Sequence, residues 1–204
     1  GVVTVRDGSL LDYETATSAT VYVEASSADG STAVQNFTVQ ITDKNDNIPV
    51  LTSGTTGSVA ENAATTTVLY DVNAADADGS SANNTLTYSL KGDCSTDDAE
   101  FVAIDATTGE VTLKASANYE AKTNYTFTVV ATDNGSPSLS SEKIVTVSVT
   151  DVDEFDVSTP VDINGSSNSV QEGSTAGTAF GLTASASDSD GTTNGVTYRL
   201  VTDS

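Results

Sequence analysis

Apolar and polar residues alternate along this chain in short runs. Phe37–Thr42 reads F-T-V-Q-I-T, and Tyr125–Ala131 reads Y-T-F-T-V-V-A. A period of two puts every second side chain on one face, the mark of a half-buried strand. Val68–Val72, Leu86–Leu90, Phe101–Ile104, Glu110–Leu113 and Lys143–Val149 are further β runs. No stretch sustains a 3.6-residue apolar period, so the pattern predicts an all-β chain. The inward positions it predicts are Leu69, Leu86, Tyr88, Phe101, Ile104, Val111, Phe127, Val129, Val145 and Val147.

The runs recur. The chain matches itself at an offset near 108 residues: Gly1–Val5 with Gly109–Leu113, Leu11–Glu14 with Ala117–Glu120, and Ile41–Asp43 with Val149–Asp151. Ser58–Glu61 likewise matches Ser169–Glu172, Ala75–Gly79 matches Ser187–Gly191, and Leu86–Leu90 matches Val196–Leu200. Residues 1–47 then form the second half of one repeat, 48–153 a whole repeat, and 154–204 the first half of another. About seven strands with turn signals between them indicate a Greek-key seven-stranded β-sandwich, Ig-like in architecture. Tandem copies of it predict a rod-shaped array in which each repeat touches only its neighbours.

The charge narrows the partners. The 204 residues carry a net charge of −22 with only seven Lys plus Arg. Nucleic acid and anionic membrane both require a basic face, so neither is an expected partner. No apolar run approaches the ~18 residues of a membrane span. An acidic chain of this kind is disordered, salt-adapted or a binder of cations, and the recurring alternation argues against disorder. Cys94 has no second cysteine for a disulfide and reads as an inert loop thiol. The opening GVVTV already reads as strand, which predicts a piece of something longer.

The polar residues cluster at strand ends. LDYE (11–14), TDKNDN (42–47), AADADG (74–79) and ATDNG (131–135) fall at the two ends of the predicted sandwich. Its first and last strands leave from opposite ends, so carboxylates of two successive repeats converge on one joint. Two unit charges ~5 Å apart at an effective dielectric of ~20 repel by roughly 3 kcal/mol. Such a gathering calls for a counter-ion.

Leu11-Asp12-Tyr13-Glu14, Asp43-Lys44-Asn45-Asp46-Asn47-Ile48-Pro49, Val59-Ala60-Glu61-Asn62, Asp76-Ala77-Asp78 and Ala131-Thr132-Asp133 resemble the LDxE, DxNDNxP, xEN, DxD and AxD motifs of cadherin repeats, in the family's order. The Lys-poor composition and the spelling TDVDEFDV (150–157) are similar to repeats of large bacterial RTX-type surface adhesins. The resemblance implies Ca²⁺, which takes six to eight oxygens at about 2.3–2.6 Å. At the first joint it implies Asp12, Glu14, Asp43, Asn45 and Asp46, with carbonyls from Lys44 and Asn47. Asp76, Asp78, Asp133 and a carbonyl near Asn84 would come from the next repeat. At the second joint it implies Glu61, Glu120, Asp151, Asp153 and Glu154, with carbonyls from Val152 and Phe155. Asp188, Asp190 and a carbonyl near Asn194 would face them. Asn118, Asp153 and Glu154 depart from the family's spelling, so weaker occupancy is expected there. Tyr13 and Tyr119 read as packing residues beside the sites.

The expected role is a calcium-rigidified extension repeat of an extracellular, cell-surface adhesin, in a bacterial, marine or other calcium-rich setting. Adjacent repeats are the expected partners. The half repeats also suggest head-to-tail self-association, because one chain's tail complements another's head. The alternative is direct binding, homophilic or of glycans. Absence of Trp weighs against a sugar platform. Paired carboxylates can serve glycoside hydrolysis, but here they recur in each repeat, and the chain has no His. It is not expected to be an enzyme.

Overall fold

A computed structural model describes residues 1–92 and 97–201, so Cys94 lies outside the described residues. The strands in chain order are β1 (Ser18–Ser26), β2 (Thr32–Gln40), β3 (Val50–Leu51), β4 (Thr56–Ala60) and β5 (Val68–Asp71). They continue with β6 (Ala74–Ala75), β7 (Leu86–Leu90), β8 (Val102–Ile104), β9 (Glu110–Leu113), β10 (Asn124–Asp133) and β11 (Ser140–Thr150). The pair β12 (Val161–Asp162) and β13 (Ala184–Ser185) closes the series.

Strands β3 to β11 form a β-sandwich. One sheet has the order β4-β11-β10-β7, and the opposing strands run β5-β9-β8 with β3-β6 beside them. β10 pairs antiparallel with β11 and β7, whereas β4 pairs parallel with β11. The core lies between these layers, with Val72, Val102, Val111, Phe127, Val129, Val145 and Val147 at or near zero exposure. Full burial of a side chain such as Phe127 is worth about 1.5–3 kcal/mol.

The alternation positions more than the core. Along β10 the buried residues are Tyr125, Phe127, Val129, Ala131 and then Asp133. The same period that buries the rings delivers a carboxylate to the inner face at the strand's end. Asp151 continues the phase of Val145, Val147 and Val149 in β11, and Asp43 continues that of Val39 and Ile41.

Three sequence expectations are corrected. Phe101 is 43% exposed, because it ends a 3-10 turn (Ala99–Phe101) in which Ala99 and the following Val102 turn inward instead. Its ring packs on Tyr125 at 5.9 Å between centroids, beside the Lys122 ammonium. Leu86, Tyr88 and Ile104 are half-buried rather than fully inward. Residues 1–5 and 196–200, expected as strands by self-match, form no strand among the described residues. Their matches β9 and β7 lie against β5, β8 and β10. The segments around 1–5 and 196–200 supply no such ladder.

Residues 1–47 do keep the β1–β2 hairpin, the counterpart of β10–β11. Val3, Val5, Leu10, Val21, Phe37 and Val39 line an open cleft of about 1480 Å³ on its apolar side. Beyond residue 154, apolar side chains such as Val161, Phe180 and Leu182 are largely exposed.

Candidate metal centre

Two acidic joints flank the complete sandwich. At the first, Glu14, Asp43 and Asp78 each bring a carboxylate oxygen to within 4.8 Å of the others. At the second, Glu61, Asp151 and Glu154 do the same. Under the self-match, Asp43 corresponds to Asp151 and Glu14 to Glu120. The clusters are therefore two neighbouring positions in one row of carboxylates, with the Asp43/Asp151 position common to both.

Hydrogen bonds set the first joint. Asp43 Oδ2 accepts from the Ser80 backbone N–H at 3.1 Å, from the Ser80 hydroxyl and from Asn83 Nδ2 at 2.9 Å. Glu14 Oε1 accepts from the Gly79 N–H at 3.0 Å. Asp78 is 2% exposed, and its Oδ1 accepts from Asn47 Nδ2 at 2.9 Å, with the Asp46 and Asn47 backbone N–H groups at 3.5 and 3.4 Å. Asn45 donates through Nδ2 to Asp133 Oδ1 at 3.1 Å and to the Pro137 carbonyl at 2.7 Å. Asp76 Oδ1 accepts from the Asp78 N–H at 2.9 Å.

The second joint repeats part of this. Gly191 N–H donates to Glu120 Oε1 at 3.0 Å, and Thr192 donates to Asp151 Oδ2 through its N–H at 2.8 Å and its hydroxyl. Glu61, 2% exposed, accepts from the Val152 and Tyr119 N–H groups at 2.8 Å each. Asp190, 1% exposed, accepts from the Glu154 and Phe155 N–H groups at 3.2 and 3.3 Å. Asp188 accepts from the Asp190 N–H at 3.2 Å.

Close approach requires glycine at both joints. A Cβ on Gly79 would lie 2.7 Å from the Tyr13 ring, and one on Gly191 would lie 2.4 Å from the Tyr119 ring. Both tyrosines thus pack across their joints, as the sequence suggested.

Asp12 turns into its own loop instead, capping Thr15 through N–H and hydroxyl. Asp46 is exposed and lies 3.9 Å from the Lys44 ammonium. Asn84, expected to offer a carbonyl, uses its amide to hold the Asp78 carbonyl at 2.7 Å. Asp153, Lys44 and Asn194 are exposed, while Val152 and Phe155 enter through the N–H groups above. Sequence reasoning missed Ser80, Asn83 and Thr192. A signal existed, since each DxDG is followed by a hydroxyl residue, Ser80 or Thr192.

The electrostatics mark strain among like charges. Burial, with Asp78 and Asp133 adding, pushes the Asp76 carboxyl up. Burial, then the charges of Glu61 and Glu120, pushes Glu154 up. The adjacent Asp190 carboxylate pushes the Asp153 carboxyl up. The Ser80 hydroxyl holds Asp43 below the ordinary carboxylate range.

Asp43 Oδ1, Asn45 Oδ1, Asp76 Oδ2, Asp78 Oδ2, Asp151 Oδ1 and Asp190 Oδ2 are buried with no hydrogen-bond partner. Among the described residues the only other such side-chain atom is the Ser141 hydroxyl oxygen. Buried polar atoms are rarely left unpaired, and each costs about 1–3 kcal/mol when they are. An all-oxygen set of carboxylates and one amide carbonyl matches a hard divalent cation such as Ca²⁺.

A two-layered Greek-key sandwich flanked by acidic clusters defines the class, an all-β sandwich domain. Residues 55–150 match the Cadherin domain family, and this segment is a cadherin domain. The chain is 33% identical over 166 residues to protocadherin alpha-2 of Pan troglodytes, covering 80% of this chain and 17% of that protein. It is 39% identical over 125 residues to protocadherin Fat 4 of Mus musculus, covering 60% and 2%. It therefore spans a small part of these relatives. Among solved structures it resembles mouse cadherin-23 EC22-24 with a TM-score of 0.64 at 30% identity, over 88% of this chain and 56% of that one. A protocadherin gammaB7 EC3-6 cis-dimer structure superposes with a TM-score of 0.73 over 88% of this chain and 44% of that one, and its 24% identity shows the fold alone.

Proposed function

We propose that this chain is a calcium-stiffened stretch of an extracellular repeat array serving cell or surface adhesion. In this reading residues 1–47 end one repeat, 48–153 are a complete repeat, and 154–204 begin a third. Six buried side-chain oxygens without partners, gathered at the two joints, carry the proposal. Glu14, Asp43, Asn45, Asp76, Asp78 and Asp133 would hold ions at the first joint, with Asp12 and Asp46 at its outer edge. Glu61, Glu120, Asp151, Glu154, Asp188 and Asp190 would hold them at the second, with Asp153 beside them. A bound cation there neutralises converging carboxylates and ties successive repeats into one body. The relatives are animal protocadherins. The acidic, Lys-poor composition favours the narrower setting of a large bacterial surface adhesin, and the mechanics of the joints are the same in either.

The test is thermal unfolding and small-angle scattering in Ca²⁺ and in EGTA. A cation that binds only the folded state adds ~2.7 kcal/mol at a hundredfold excess over its Kd. Calcium is expected to raise the melting temperature and lengthen the particle. Equal melting and equal dimensions in both buffers refute the reading.

A further inference from the structure

The two joints are built alike in backbone and differently in side chains. At the first, three asparagine amides donate across the gap: Asn45 to Asp133 and Pro137, Asn47 to Asp78, and Asn83 to Asp43. Asn45 is seated on Gly135, where a Cβ would fall 2.1 Å from its amide carbon. Pro49, which follows, is fully buried.

At the second joint two of these donors, Asn45 and Asn47, have no amide counterpart. Asp153 stands where Asn45 does, Phe155 where Asn47 does, and Val157 where Pro49 does. Val157 is 53% exposed. Residues 43–49 carry a net charge of −1, from Asp43, Lys44 and Asp46. Residues 151–157 carry −4, from Asp151, Asp153, Glu154 and Asp156. Asn62 donates through Nδ2 to Glu154 at 3.4 Å, so a single long amide bond joins residues 48–153 to the following segment here. Among the described residues, the other bonds at this joint come from backbone N–H groups and the Thr192 hydroxyl.

We infer that the first joint carries a calcium-independent amide latch, whereas the second, with fewer amide donors and more carboxylates, is a hinge that depends on cations to stay closed. An asparagine amide satisfies a carboxylate without any ion, and a carboxylate in its place adds repulsion that only a cation removes. Withdrawal of calcium loosens the array at one joint first, and it bends there. The inference rests on the calcium reading above for what closes the hinge, and on hydrogen-bond geometry for which joint opens.

Equivalent amides report each joint: Gly79 and Ser80 bond across the first, Gly191 and Thr192 across the second. Their hydrogen exchange is measured by NMR on the full chain, with EGTA and with calcium. In EGTA, Gly79 and Ser80 are expected to exchange at least about tenfold more slowly than Gly191 and Thr192, as local opening energies differ. Calcium is expected to slow the second pair most. Asp153→Asn combined with Phe155→Asn should slow Gly191 and Thr192 in EGTA. Equal exchange at the two joints in EGTA, or no slowing in the double variant, overturns the latch. If calcium changes none of the four amides, the calcium reading fails, and the EGTA comparison still decides whether the joints differ.

Discussion

Asp78→Asn should move stability in opposite directions with and without calcium. The carboxylate is 2% exposed, its Oδ1 has three N–H groups within 3.5 Å, and its Oδ2 has no partner. Asparagine keeps the accepting oxygen and replaces the orphan with an amide. Glu14 and Asp43 each have an oxygen within 4.8 Å of an Asp78 carboxylate oxygen, so acceptors are at hand for it. Relieving an unpaired buried polar atom is worth about 1–3 kcal/mol. One kcal/mol moves the melting temperature of a domain this size by about 4–8 °C. In EGTA the variant should therefore melt several degrees above the parent chain. In saturating calcium the order reverses, because a ligand is lost and with it part of a binding contribution of ~2.7 kcal/mol at hundredfold excess. Differential scanning calorimetry in both buffers makes the comparison. A variant less stable than the parent in EGTA would show that Asp78 is already satisfied without a cation, and the ion-site reasoning would fall with it.

Phe127→Ala, at 0% exposure, should cost about 3–5 kcal/mol in urea unfolding. Phe37→Ala, at 52% exposure, should cost less than about 1 kcal/mol, and similar costs would contradict the assigned core. Asn118→Asp keeps the cap that Asn118 Oδ1 accepts from Ala121 at 2.7 Å and adds a charge beside Glu61 and Glu120. Calorimetric titration should show tighter calcium binding at the second joint, and weaker binding would reject the motif match. Asp153 and Glu154 have carboxyls pushed up in the folded chain. Their contribution is present below the ordinary carboxylate range and is lost as pH rises through the raised values. In EGTA the second joint should loosen as pH rises above the ordinary carboxylate range and both groups ionise, read from Thr192 exchange. Loosening in the opposite direction would contradict the sign.

The strands of the complete repeat were legible because β10 and β11 follow a strict period of two. That period also aimed Asp133 and Asp151 at the joints. Phe101 was misread because a 3-10 turn breaks the alternation one residue before β8, and hydrophobicity alone does not reveal the change of phase. Residues 196–200 have the pattern of β7 but not its β10 partner, and a strand is a property of a pair rather than a segment. At the joints, the motifs located the carboxylates. Ser80 and Thr192 were signalled by the hydroxyl after each DxDG but not read, whereas Asn83 and the N–H groups act through loop geometry that no spacing rule encodes.

The parallel pairing of β4 with β11 decides how the repeat carries load. Thr56–Ala60 lie alongside Thr146–Thr150, one strand near the entry of the domain and the other at its exit. Tension applied through the two termini slides these strands past each other lengthwise. Bonds loaded in shear share the force and fail together, unlike those of a hairpin peeled open from one end. Lys143 adds a grip above this patch, its ammonium holding the Leu51 and Ser53 carbonyls at 2.8 and 2.6 Å. Under such tension this five-residue strand and Lys143 are among the contacts that would resist sliding.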